Sequence, residues 1–178
     1  VTEHNSTIDI PLNNNLFATI NADDYERELW CEFRDGFVFK GKICDLKWSP
    51  LKESSYRALY YARAVMHRLK RTVLLHRLVL CARQMDFVDH ADRNGLNNVR
   101  TNLRFVTSRQ NSANTGPRPG TSKFKGVSFV KGKNRFRATI QSCGKTSHLG
   151  DFVLEEDAAR AFDAAALELH GEIAFTNF

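Results

Sequence analysis

Asp89 and His90, followed by Asn102 and Asn111, stand in the stretch VDHADRNGLNNVRTNLRFVTSRQNSANT. These four residue types could together hydrolyse a phosphodiester. A carboxylate is an anionic ligand for a hard cation, and a second oxygen donor can come from an asparagine amide. An imidazole with a reference pKa of ~6.5 is largely neutral above pH ~7 and can accept a proton from water. The remaining amide can orient a loop. Taken singly, an Asp-His pair is most often a turn or a surface pair, and Asn102 and Asn111 would be a cap and a polar helix position. Only the joint pattern points to chemistry.

The elements that would have to position these groups are legible in outline. Residues 87–90 read as a strand end, 91–101 as a loop rich in Asn and Gly, and 102–106 as a second strand. Thr107 can cap a short helix that runs through Asn111 to about residue 114. An ideal strand points adjacent side chains to opposite faces, so a shared site for Asp89 and His90 requires a bend at the strand end.

Upstream, Ile10-Pro11-Leu12 and the apolar stretch 16–20 suggest a short strand, followed by a helical turn capped at Asp23 or Asp24. Segments 37–44 and 58–67 suggest strands with imperfect alternation. Tyr60, Tyr61, Arg63, His67, Arg68, Lys70 and Arg71 interleave bases with aromatics. That run is a solvated strand face or a surface for a nucleic-acid backbone, and the former is the commoner origin of such a run.

Residues 112–121, SANTGPRPGT, form the clearest break in composition and read as a linker. Beyond it, residues 126–130, 135–141 and 146–152 look like three short strands joined by turns at 131–134 and 142–145. A helix is expected over about 155–170. Its first turn is acidic (Glu155, Glu156, Asp157), it stops before Gly171, and Ala158, Phe162, Ala165 and Leu169 repeat at helical spacing. Phe136, Ile140, Phe152 and Phe162 are the candidate core. From 121 to 150 there are seven Lys or Arg and no acid, whereas from 151 to 178 Arg160 is the only base against seven acids. A basic sheet backed by an acidic helix would turn one face to a polyanion.

The 178 residues carry a net charge of +6, which favours the same kind of partner, and a hydrophobic fraction of 42% is enough for real cores. Four cysteines (Cys31, Cys44, Cys81, Cys143) lie far apart without a CxxC pair, so reduced thiols are expected in place of a disulfide framework or a zinc ribbon. No apolar run approaches the roughly 20 residues needed to span a bilayer, and VTEHNSTIDI is too polar for a signal peptide. A soluble, cytoplasmic protein without a membrane partner is the expectation.

The pattern His76-Arg77-Leu78-Val79, Val88-Asp89-His90, Gly95, Asn102-Leu103-Arg104 and Thr107 through Gln110-Asn111 resembles the HNH nucleases with a ββα-metal fold. The likeness is to the subgroup, frequent in phages and mobile introns, whose last His is replaced by Asn, here Asn111. Ile10-Pro11-Leu12 and Asp23-Asp24-Tyr25 are similar to the leader of that subgroup. The resemblance implies an α+β chain with an HNH core and an N-terminal β-rich extension over 1–111. It implies that Asp89 and Asn111 hold one Mg²⁺ or Mn²⁺, that His90 is the general base, and that Asn102 braces the loop and orients His90. The ends left would be 5′-phosphate and 3′-hydroxyl. His76 belongs to the pattern without an assigned role, and His4, His67, His148 and His170 are not expected to be catalytic.

Phe124-Lys125-Gly126-Val127, 135–140 (RFRATI), 148–152 (HLGDF), Glu156-Asp157-Ala158-Ala159 and Asn177-Phe178 are similar to the APETALA/ethylene-responsive-factor DNA-binding domain. That resemblance covers 122–178 and implies a three-stranded antiparallel sheet packed on one helix, with the sheet in the major groove. By position, Lys125, Ser128, Arg135, Arg137, Thr139 and His148 would face DNA. Lys125 stands where plant members have Arg and His148 where they have Trp, so the plant target sequence does not transfer. The expected whole is a monomeric, homing-type, site-specific endonuclease on double-stranded DNA, with no small-molecule cofactor. The alternatives are a DNA-binding transcriptional regulator with a degenerate nuclease part, and a nuclease serving packaging, restriction or recombination.

Overall fold

The computed structural model describes residues 6–32, 38–52, 60–67, 70–83, 85–142 and 144–178; His4, Arg68 and Cys143 lie outside them. Its contacts divide the chain into two compact units, Val1–Thr107 and Ser108–Phe178. Both mix short helices with small antiparallel sheets.

In the first unit, β1 (Thr7–Pro11) and β2 (Phe17–Asn21) form a hairpin. Asn14 and Asn15 carry its turn at positive φ, a conformation asparagine tolerates better than most residues. The one-turn helix α1 (Ala22–Tyr25) follows, but its cap is Asn21 without a side-chain cap bond. Asp24 is buried and receives Arg100 through Nε and Nη2 at 2.7 and 2.8 Å. The expected capping carboxylate is therefore an anchor for a distant loop.

Strands β3 (Leu29–Glu32) and β4 (Val38–Gly41) pair with each other, and β5 (Trp48–Lys52), β6 (Tyr60–Met66) and β7 (Arg71–Leu74) make a three-stranded sheet in that order. Sequence alternation marked β4 and β6 only in part. A five-residue helix, α2 (Leu75–Val79), would not stand alone; it forms because Leu75, Leu78 and Val79 are all buried, each contributing about 2 kcal/mol. Cys31 and Cys81 are joined as a disulfide with Cα atoms 5.0 Å apart. This corrects the expectation of reduced thiols: the partners are 50 residues apart, and only the packing of β3 beside the end of α2 brings them together. Strands β8 (Phe87–His90) and β9 (Leu103–Val106) close the unit as a two-stranded sheet.

The second unit opens with α3 (Ser108–Asn114). Strands β10 (Val127–Val130), β11 (Arg135–Ser142) and β12 (Lys145–Phe152) then form an antiparallel sheet, and α4 (Glu155–His170) packs on one of its faces. Ala138 and Ile140 of β11 meet Ala158, Ala159, Phe162 and Ala166 of α4. Small residues let the helix lie close, so Leu169, expected on this face, is exposed, and Ala159 and Ala166 are buried. Gly126 has φ +77° and presses on the Phe162 ring so closely that any Cβ there would overlap it. The chain end is pinned by the buried carboxylate of Asp163, which accepts from the backbone N–H of Asn177 and Phe178 and from the Asn177 amide at 2.8–3.1 Å.

Candidate active site and nucleic-acid interface

The β8–β9 pairing runs in register through Asp89↔Arg104 and His90↔Leu103, so the ladder reaches the last residue of β8 without a bulge. The two neighbouring side chains accordingly go different ways. Asp89 meets its cross-strand partner Arg104, whose Nε and Nη2 both donate to Asp89 Oδ2 at 3.0 and 2.8 Å. His90 turns to a buried cluster, where its Nε2 lies 3.3 Å from Asn98 Oδ1. Asp89, His90 and Asn98 are all buried.

Asn98 decides the tautomer of His90. Its Nδ2 donates to the Leu96 carbonyl at 2.9 Å, which leaves Oδ1 to face the ring. An amide oxygen only accepts, so His90 Nε2 carries a proton and the lone pair of the neutral ring sits on Nδ1. Burial lowers the His90 pKa below its ordinary value, against the pull of the Asn98 hydrogen bond and of the Asp92 and Asp89 carboxylates. The ring is a neutral acceptor near pH ~7.

The loop that carries Asn98 is held from two sides. Within it, Asn102 Nδ2 donates to Asp92 Oδ1 and to the Asn97 carbonyl, both at 2.8 Å, while Asn102 Oδ1 accepts from the Asp92 backbone N–H at 2.9 Å. The Asn102 carbonyl also accepts from the N–H of Ala91, the residue after His90. Burial alone would raise the Asp92 carboxyl, but hydrogen bonds from Asn94, Asn97 and Asn102 outweigh it and hold the group below its usual value. From outside, Thr19 of β2 donates its N–H to Leu96 and accepts from Asn98, and Arg100 reaches Asp24 and the Val79 carbonyl. The β1–β2 hairpin therefore braces this loop. Asn98, which holds the His90 ring, is not marked by the sequence; its only signal is the doubled asparagine in Asn97-Asn98.

Behind His90 stand Tyr61 of β6 and His76 of α2. The His76 and His90 ring centroids are 5.1 Å apart in an edge contact, and Tyr61 lies 5.4 and 5.7 Å from them. His76 is buried with Nδ1 unpartnered, and its pKa is pushed down to about 3 by burial, then by His90 and Arg77. It is neutral at ordinary pH. Gly95 lies against the Tyr60 carbonyl and the Tyr61 ring so tightly that a Cβ would overlap both, which keeps this wall in place.

Among the described residues, no group of three His, Cys, Asp or Glu side chains gathers to hold a metal ion. Asp89 offers carboxylate oxygens and Asn111 an amide oxygen, donors of the kind a hard cation such as Mg²⁺ takes. A cation on Asp89 would share its carboxylate with Arg104 or displace it. Asp89, His90 and Asn102 belong to the first unit; Asn111 lies on α3, in the second.

In the second unit the strand register puts Ser128, Arg135, Arg137, Thr139 and His148 on the face opposite α4: Ser128↔Arg137, Arg137↔Asp151 and Thr139↔His148 are direct cross-strand pairs. Lys125 precedes β10 and does not join them. Its Nζ donates to the Ala113 carbonyl at 2.5 Å, near the end of α3, and sits over the Phe162 and Phe175 rings. Asp151, grouped by sequence with the acidic helix, is on the basic face instead.

Comparison with known proteins adds identity to this geometry. The chain is 38% identical over 91 residues to an uncharacterized HNH endonuclease of Acanthamoeba polyphaga mimivirus, covering 51% of this chain and 46% of that protein. It is 35% identical over 89 residues to Protein 3.8 of Escherichia phage T7, covering 49% of this chain and 73% of that protein. The chain belongs to the family of phage T7 Protein 3.8. A shorter match, 41% identical over 63 residues, is to APETALA2-like protein 2 of Oryza sativa subsp. indica, covering 35% of this chain and 14% of that protein. The chain thus spans about half of the mimivirus relative and a seventh of the plant one. No family model matches, and no solved structure is similar. No helix among the described residues is long and apolar enough to cross a membrane.

Proposed function

We propose that this member of the Protein 3.8 family is a site-specific DNA endonuclease of the homing type. In this reading residues 1–111 are the nuclease domain, 112–121 a linker and 122–178 the DNA-binding domain. The nuclease part hydrolyses a phosphodiester in a core of the ββα-metal type that includes β8 and β9. The observation that carries the reading is the buried His90 ring, held in one tautomer by Asn98 at the end of a strand whose preceding residue, Asp89, turns the other way to Arg104.

His90 is the general base, and its Nδ1 takes the proton of the attacking water. Asn102 fixes the loop that holds Asn98, so the ring does not swing as it gains charge. Asp89 and Asn111 would hold one Mg²⁺ or Mn²⁺ ion. When bound, that ion supplies charge stabilisation at the scissile phosphate and the departing 3′-oxygen. Arg104 keeps Asp89 aligned on the hairpin until then. One such site per monomer gives a nick. The open face of β10–β12 supplies affinity and register on double-stranded DNA through Ser128, Arg135, Arg137, Thr139 and His148. Lys125 acts there only if it leaves the α3 carbonyls.

A second reading, a DNA-binding regulator with a degenerate nuclease part, is favoured by one observation: Arg104 already neutralises Asp89. End mapping separates the two. DNA incubated with the full chain and Mg²⁺ should acquire 5′-phosphate and 3′-hydroxyl ends, and these should vanish with chelator. DNA that is bound at high affinity but never cut supports the regulator.

A further inference from the structure

Among the described residues Asp151 is the one acid on the open face of the β10–β12 sheet, and three donors converge on it. Arg137, directly across the ladder, donates through Nε to Oδ1 at 2.9 Å and through Nη2 to Oδ2 at 3.3 Å. Lys133 Nζ donates to Oδ2 at 2.8 Å, and His148 Nε2 lies 2.9 Å from Oδ1. The carboxylate side chain is only 13% exposed, while Arg137, Lys133 and His148 are 35%, 58% and 54% exposed. The acid is thus roofed over by its partners, whose own tips reach solvent. The Arg137 partnership also holds the Asp151 carboxyl far below the usual carboxylate range, with Lys133 and His148 adding to it.

A carboxylate on a surface meant for a polyanion weakens attraction to phosphate, so its presence calls for a gain elsewhere. The gain is in geometry. A guanidinium has five N–H donors in a planar fork, and Asp151 takes one from Nε and one from Nη2. Both N–H groups of Nη1 and one of Nη2 stay available, which is the pair of nitrogens that grips guanine O6 and N7 in the major groove. A free arginine on an exposed strand would spread over many rotamers and settle on phosphates as readily as on bases. An arginine locked by its Nε edge loses less freedom on binding and presents one orientation.

We infer that Asp151 is a specificity-determining residue, which turns Arg137 from a phosphate contact into a reader of one guanine and lowers the affinity of the sheet for other sequences. This rests on the reading that the open sheet face binds DNA. Lys133 and His148 complete the clamp and keep the carboxylate from repelling the backbone.

The test uses the full chain in chelator, so that binding is measured without cleavage. A duplex selected from a randomised library supplies the best site, and each G·C pair in it is changed singly to A·T. The unaltered chain should lose at least ~10-fold in affinity at one G·C pair. Asp151→Asn, which keeps shape and removes charge, should reduce that discrimination to about twofold while binding to unrelated DNA becomes severalfold tighter. Asp151→Glu, which keeps charge but lengthens the reach, should lose discrimination without tightening unrelated binding, and it covers the case in which Asp151→Asn fails to fold. Arg137→Ala should abolish discrimination at the same pair. If Arg137→Ala abolishes it and both Asp151 variants retain it, Asp151 does not set specificity, although the sheet still reads DNA. If Arg137→Ala changes nothing, the sheet is not the reading face, and both inferences fall.

Discussion

The Asp89–His90 strand end and the open face of β10–β12 both gather polar side chains, but in opposite manners. At the strand end the groups are buried and held by asparagine amides, backbone groups and one arginine, and His90 is kept neutral. On the sheet Lys133, Arg137 and His148 reach solvent and are held by one carboxylate. The contrast separates two tasks. A proton acceptor needs a fixed ring that is neutral at its working pH, and burial favours the neutral form. A surface that meets DNA needs charge that reaches outward with its direction set beforehand.

Asn98→Ala should produce the largest change on the nuclease side short of removing His90 itself. Losing the amide frees the tautomer and leaves Nε2 buried without its acceptor, and nicking should fall about a hundredfold with DNA affinity unchanged. An unaltered nicking rate would mean that the order around His90 serves packing, and the contrast between the two regions would lose its chemical side.

Asp163→Ala strips a buried carboxylate from Asn177 and Phe178 and should cost the second unit about 3 kcal/mol, read from chemical denaturation. DNA affinity should drop with that stability, while a melt of the first unit stays in place. A matching loss in both units would show that they do not unfold separately.

Arg135→Ala should flatten the dependence of binding on salt by about one unit of slope, because Arg135, unlike Arg137, has no carboxylate across the ladder from it. Equal slopes before and after would remove Arg135 from the DNA face. The smallest effect is expected at Lys125→Ala, which takes a donor from the last turn of α3. Amide exchange in 108–114 should speed up severalfold, at a cost of about 1 kcal/mol, while the salt slope is unchanged. A fall in slope would place Lys125 on DNA after all.

Where local rules decide, the sequence was readable. Turn residues and the acidic first turn marked β10, β11, β12 and α4 to within a residue or two, and Gly171 at φ +60° closes α4. The strand, loop and strand around Asp89–His90 were readable for the same reason. What stayed hidden depends on partners distant in the chain. Nothing in the spacing joins Cys31 to Cys81, sends Asp24 to Arg100, or hangs Leu96 and Asn98 on Thr19. The shift of register between Ala138 and Thr139 pairs Thr139 with His148, a detail that composition does not carry. Asp151 shows the same limit. It stands four residues before the helix and reads as one of its acids, yet the ladder sets it among the bases.

Supercoiled plasmid carrying the selected site, incubated with Mg²⁺ and either the unaltered chain or His90→Ala, tests the nuclease claim most directly. The account predicts that the unaltered chain converts plasmid to nicked circles. It predicts that His90→Ala does so at least ~100-fold more slowly while binding the same DNA equally well in chelator. Nicking at equal rates by both proteins, or tight binding without any nicking by the unaltered chain, would contradict it.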